Sequence, residues 1–161
     1  MSPKRLEPKE VTLFLATWAY TGYSRVAPAA VASFTALLGV LLMRDSWLVN
    51  DGFALTIAIV ATVGFWVCGA AEKLFGEKDC STIVIDDVVG LLISIYGFQQ
   101  GRVDLLLGLW FAFRVVDNLK IFPLNMIEKH LKGGLAIMGD DIVAGIYVNV
   151  GARLILSFLA R

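Results

Sequence analysis

Long apolar stretches separated by short polar breaks run along most of the chain. After the polar, proline-punctuated start MSPKRLEPKE and the short run VTLFLATWAY, apolar stretches occupy residues 26–43, 53–71, 82–98, 103–116 and 142–160. A helix needs about 20 residues to cross a bilayer, with a range of roughly 17–25, so the first two stretches read as spans. The other three carry polar groups: Asp86 and Asp87 in the third, Asp104 and Arg114 in the fourth, Asn149 and Arg153 in the last. Ionisable groups at bilayer depth are costly and point into a bundle or a wet cavity, so these three helices are expected to face one another. The expected fold is all-α, a helical integral membrane bundle of about five apolar helices in a single domain over residues 1–161. Residues 1–25 form an N-terminal interfacial arm, and residues 26–161 form the bundle. The arm reads as retained, because Glu7 and Glu10 spoil the charge asymmetry of a signal peptide. The fourth stretch is short enough to be re-entrant.

Composition strengthens the membrane reading. Hydrophobic residues make up 58% of the 161 and charged residues 17%, against about 25% charged in typical soluble domains, and mean hydropathy is +0.75. Fourteen Lys and Arg balance fourteen Asp and Glu, which disfavours nucleic acid as a partner. Cys68, Cys80 and His130 are the full set of Cys and His, too few for a disulfide framework or a zinc cluster.

If all five stretches cross, Lys4, Arg5, Lys9, Arg25, Lys73, Lys78, Arg114, Lys120, Lys129 and Lys132 share one face, and only Arg44, Arg102 and Arg161 lie on the other. The positive-inside rule makes the first face cytoplasmic. Glu72, Asp79, Asp86, Asp87, Asp117, Asp140 and Asp141 gather on that face too. Two segments echo each other: Ile85-Asp86-Asp87-Val88-Val89-Gly90 and Gly139-Asp140-Asp141-Ile142-Val143-Ala144-Gly145. Each is an Asp pair opening an apolar helix, with a glycine three or four residues later that lets another backbone or a ligand approach.

Between the pairs, Arg114, Asp117 and Lys120 stand at i, i+3 and i+6, on one side of a helix. Arginine and lysine suit phosphate oxygens, and carboxylates hold Mg²⁺, a hard cation that shares its shell with phosphate. Plainer readings stand beside these: Asp87 and Asp140 also suit N-caps, and Arg114, Asp117 and Lys120 also suit an intrahelical ion-pair ladder. The chain lacks a Cys-x5-Arg loop, a Gly-x4-Gly-Lys-Ser/Thr loop, and the histidines a His-nucleophile lipid phosphatase needs. Metal–carboxylate chemistry remains.

Four blocks of sequence resemble the phosphatidylglycerophosphatase A family. They are Gly22-Tyr23-Ser24 with Ala27-Pro28, Asp79 with Ile83 through Gly90, Phe113-Arg114-Val115-Val116-Asp117 with Lys120 and Pro123, and Lys132-Gly133-Gly134 through Gly145. The resemblance implies a Mg²⁺-dependent enzyme of phospholipid biosynthesis in the bacterial cytoplasmic membrane, with its site on the cytoplasmic face. Such an enzyme removes the terminal phosphate of phosphatidylglycerophosphate to give phosphatidylglycerol. On that reading Asp86, Asp87, Asp140 and Asp141 hold metal, and Arg114, Lys120, Arg25 and Lys132 meet the substrate phosphate. Asp117, with Arg114 and Lys120, completes the catalytic set by orienting Arg114 or aligning water. Glu72 and Asp79 orient the ligands. The first block departs from the family's glycine-containing loop, with Arg25, Ala29, Ala30 and Ala32 in its place. That departure motivates a second reading, a non-catalytic relative that binds the head group. A third reading, an ion-coupled carrier, fits poorly because the acids crowd one face.

Overall fold

Glycines and prolines set where the helices start and stop. In the computed structural model, which describes residues 8–76, 80–119 and 134–160, α1 (Pro8–Ala16) and α2 (Pro28–Leu42) both open on proline. Proline at a first helical turn forfeits no hydrogen bond and arrives with its φ preset. Helix α3 (Phe53–Phe75) closes on Gly76 in the left-handed region, φ 71°, whose N–H donates to the Glu72 carbonyl. Helix α4 (Ile85–Ser94) is followed by Gly97 at φ 83°. Helices α5 (Val103–Leu119) and α6 (Gly134–Leu159) complete the described elements. There is no strand among the described residues, so the all-α expectation holds.

Among the described residues, two of the expected helices are long and apolar enough to cross a membrane: Phe53–Phe75, mean hydropathy 2.1, and residues Ile137–Leu159 of α6, mean hydropathy 1.8. Only 22% of each apolar window is buried inside the protein, whereas the core helix of a water-soluble domain is mostly covered. Trp66 is 69% exposed and Phe158 71%, an outer surface suited to lipid rather than water. The stretch 82–98 behaves differently. It is helical only over the ten residues of α4, about 15 Å at 1.5 Å per residue, and then turns at residues 95–100. Helix α5 has 17 residues and α2 has 15.

Short α4 is the centre of the molecule. Every residue in it except Ile93 is buried, and α2, α3, α5 and α6 pack around it. Leu91, Val88, Phe53, Phe113, Leu106 and Leu37 form one core on its α2 and α5 side. Ile85, Val89, Val67, Cys68 and Met138 form a second core toward α3 and α6. Helices α4 and α6 run parallel and touch through backbone at their glycines. A side chain on Gly90 would meet the Phe113 ring at 2.6 Å and the Asp141 carbonyl at 2.8 Å, and one on Gly145 would collide with the Gly90 carbonyl.

The N-terminal arm is anchored more firmly than an interfacial segment would be. Helix α1 packs on α3. The chain then turns through Trp18, Ala19 and Tyr20, all at positive φ (45°, 54° and 66°), a conformation costly for residues with a Cβ. Local hydrogen bonds offset that cost: the Tyr20 N–H donates to Thr17 Oγ1 at 3.1 Å and the Gly22 N–H to the Thr17 carbonyl at 3.0 Å. The Val84 N–H donates to the Ala16 carbonyl at 3.0 Å, and Gly22 lies against the Thr82 carbonyl. The arm thereby braces the segment that leads into α4.

Candidate active site

Because α4 and α6 run parallel, with the first turn of α4 beside α6 at Asp141, Asp86 and Asp87 meet Asp141; the second Asp pair lies about two turns inside α6, which begins at Gly134, rather than opening it. Asp86 and Asp87 lie in the first turn of α4, where carboxylates complement the helix dipole. Asp141 comes from α6, and one oxygen from each of the three carboxylates lies within 4.8 Å of the others. All three are buried, at 8%, 6% and 5% exposure. Asp86 Oδ1 and Asp141 Oδ1 have no hydrogen-bond partner among the described residues. A buried polar atom without a partner carries a desolvation cost of about 1–3 kcal/mol, more when charged.

Among the described residues, one cation, Arg114, lies against the trio. Arg114, from α5, donates through Nη1 to Asp87 Oδ1, and its Nη2 is 3.3 Å from Asp117 Oδ2 on the same helix. The side chains of Arg114 and Asp117 are 14% and 19% exposed. One guanidinium facing four carboxylates leaves an excess of negative charge. Two like charges at 4.8 Å repel by roughly 3 kcal/mol at an effective dielectric constant of about 20, so full ionisation of the trio calls for a further positive charge.

The donor set fits a hard divalent cation. All the donors are carboxylate oxygens, two of them orphaned, and opposite ligands around a six-coordinate ion stand about 4–5 Å apart given bonds of 2.0–2.6 Å. The described residues thus bring together a buried acidic cluster able to bind a metal, though nothing in them specifies which metal.

The other residues singled out from the sequence lie around this centre or outside the described residues. Asp140 is not one of the three clustered carboxylates; its Oδ1 accepts the Asp141 N–H at 3.1 Å. Glu72 sits half-buried on α3, beside a groove that Lys9, Lys73 and Trp66 also line. Arg25 is exposed in the loop before α2. Asp79, Lys120 and Lys132 lie outside the described residues. Cys68 is buried on α3 in the core beside Val67, Val89 and Met138, a packing position.

Fold and site together define a helical protein with two membrane-length apolar helices and a buried, arginine-paired carboxylate cluster suited to phosphoryl chemistry. The family comparison agrees: the model for phosphatidylglycerophosphatase A matches residues 14–156, and the chain belongs to that family, whose members are phosphoric monoester hydrolases. A phosphatidylglycerophosphatase A from Escherichia coli K12 is 26% identical over 91% of this chain and 84% of its own length. One from Haemophilus influenzae is 31% identical over 81% and 79%. A putative phosphatidylinositol-3-phosphatase from Bacteroides thetaiotaomicron is 27% identical over 87% and 90%. No solved structure matches the chain.

Proposed function

We propose that this enzyme hydrolyses the terminal phosphomonoester of phosphatidylglycerophosphate, releasing phosphatidylglycerol and phosphate, with Mg²⁺ held by Asp86, Asp87 and Asp141 and supported by Asp140. The observation that carries the reading is the buried carboxylate trio of α4 and α6, with oxygens of Asp86 and Asp141 unpartnered among the described residues and Arg114 against Asp87. Asp86, Asp87 and Asp141 would hold the ion, which when bound would supply positive charge for the substrate phosphate. Arg114 presents a planar fork of N–H groups to the same phosphate, held in orientation by Asp87 on one side and Asp117 on the other. In the net hydrolysis the P–O bond to glycerol breaks, the oxygen of water ends on phosphorus as phosphate, and one proton of that water ends on the leaving glycerol oxygen. Lys120 and Lys132 join Arg114 in neutralising the phosphate, and Arg25 supplies charge where the family loop carries glycines. Glu72 and Asp79 orient the ligands.

The site faces the cytoplasm on this reading, because the basic residues concentrate on that side. The five apolar stretches form one bundle in the inner membrane. In it α3 and α6 cross fully, and α4 is enclosed by its neighbours.

Two relatives of similar identity carry names for different lipid phosphomonoesters, so head-group choice is tested directly. Phosphate release in detergent micelles is measured with phosphatidylglycerophosphate and with phosphatidylinositol 3-phosphate, each with Mg²⁺ and with EDTA. Mg²⁺-dependent release, faster from phosphatidylglycerophosphate, is expected. Faster release from the inositol lipid would replace the substrate. No release from either, with retained lipid binding, would favour the non-catalytic relative.

A further inference from the structure

At the far end of α4 from the carboxylates, side chains of α6 close the helix. Asn149, 9% exposed, directs its Nδ2 hydrogens to the carbonyls of Ile93, Ser94 and Tyr96 at 3.2, 3.0 and 2.7 Å. Asn149 Oδ1 accepts from Arg153 Nε at 2.8 Å, and Arg153 Nη2 donates to the Tyr96 carbonyl at 2.8 Å. The guanidinium lies 5.1 Å from the centre of the Phe98 ring. Gly97 makes room for it, since a side chain there would collide with the guanidinium. The last carbonyls of a helix have no partner within it, and a cation beside them also complements the dipole. The α4 end meets part of this need itself, with the Ile95 N–H donating to the Leu91 carbonyl and the Tyr96 N–H to the Ile93 carbonyl, and takes its further donors to the Ile93, Ser94 and Tyr96 carbonyls from α6.

The two contacts between α4 and α6 do different things. The Gly90–Gly145 crossing lets the backbones approach, but a smooth contact of small residues does little to stop one helix sliding along the other. Directional hydrogen bonds do stop it. A slip of one residue moves α4 by about 1.5 Å, well beyond the roughly 0.5 Å within which a functional constellation must be held. It would carry Asp86 and Asp87 away from Asp141 by that amount.

We propose that Asn149 and Arg153 are positioning residues that fix the axial register of α4 on α6, and through it the spacing of Asp86 and Asp87 from Asp141. The inference rests on the reading of those three carboxylates as a metal-holding site.

The test is Mn²⁺ binding to the full chain in detergent without substrate, followed by the electron paramagnetic resonance signal of the free ion. The variants are Asn149→Leu, which keeps volume and loses the donors, and Arg153→Lys, which keeps charge and loses the fork. Trp110→Phe serves as the comparison. It removes the 3.1 Å hydrogen bond from Trp110 to Ser33 between α5 and α2, leaving α4 and α6 alone. The expected result is Mn²⁺ affinity weakened about 10-fold or more in Asn149→Leu, weakened less in Arg153→Lys, and unchanged in Trp110→Phe even where Tm falls equally. KM for the lipid stays constant in all three. If Asn149→Leu does not fold, Arg153→Lys carries the comparison. Wild-type affinity in the α6 variants, with only Tm reduced, would overturn the proposal. A wild-type chain that binds no Mn²⁺, or an Asp141→Asn chain that binds it as tightly as the wild type, would overturn the metal reading and the proposal with it.

Discussion

Arg114 is shared between Asp87 and Asp117, so one side chain serves both the pairing of buried acids and the proposed grip on phosphate. Replacing it with lysine keeps the charge but not the fork. Arg114→Lys is therefore expected to cut phosphate release by about 10- to 100-fold, an effect of some 1.4–2.8 kcal/mol on the barrier. The same assay on Asp117→Asn should show a smaller loss if Asp117 serves by pairing with the Arg114 guanidinium. An Asp117→Asn variant as impaired as Arg114→Lys would place Asp117 in contact with the reacting atoms instead. At this scale the sequence was informative. The i, i+3 spacing of Arg114 and Asp117 gave their pairing, but no local pattern could give the Arg114–Asp87 pair, whose partners stand 27 positions apart. Nor could spacing separate Asp141, which joins the cluster, from Asp140 beside it, whose Oδ1 turns back to the Asp141 N–H. Adjacent helical positions diverge by about 100°, and only the neighbouring helix decides which one faces inward.

Among the elements, α4 is where sequence reading and structure part. The mostly apolar seventeen-residue stretch 82–98 is long enough for a span, yet the helix covers ten. Thr82 and Val84 are taken up by contacts with the N-terminal arm, and Gly97 adopts positive φ. These constraints are tertiary, and a hydropathy pattern carries no trace of them. The echo between the two Asp-Asp segments was the better guide, since its glycines prove to be the crossing point of parallel helices. Gly90→Ala should force the new methyl into the Phe113 ring and the Asp141 carbonyl. Overpacking of this kind costs about 1–3 kcal/mol, and the displaced Asp141 backbone should reduce activity as well. The check is thermal unfolding alongside phosphate release. An alanine variant with unchanged Tm and activity would mean that the two backbones are not in contact.

At the level of the whole molecule, a short polar-tipped helix is enclosed by longer ones whose outer surfaces are apolar. The enclosure buries the cluster and leaves one oxygen each of Asp86 and Asp141 without a partner among the described residues. The exposed apolar surface of α3 and α6 suits a bilayer, where a lipid substrate also resides. Composition alone pointed toward lipid, because 58% hydrophobic content leaves too little polar surface to cover a globule, and the two membrane-length helices are compatible with that reading. It did not reveal that the centre of the bundle would be a helix too short to cross. The most direct single measurement is Mg²⁺-dependent phosphate release from phosphatidylglycerophosphate by the wild-type chain and by Asp141→Asn, both shown to be folded in detergent by an unchanged circular dichroism spectrum and a monodisperse elution peak. Release by the wild type that falls at least about 100-fold in Asp141→Asn, as removal of a key electrostatic group typically produces, is the expected result. An Asp141→Asn chain that releases phosphate at the wild-type rate would contradict the assignment of catalysis to the buried carboxylates.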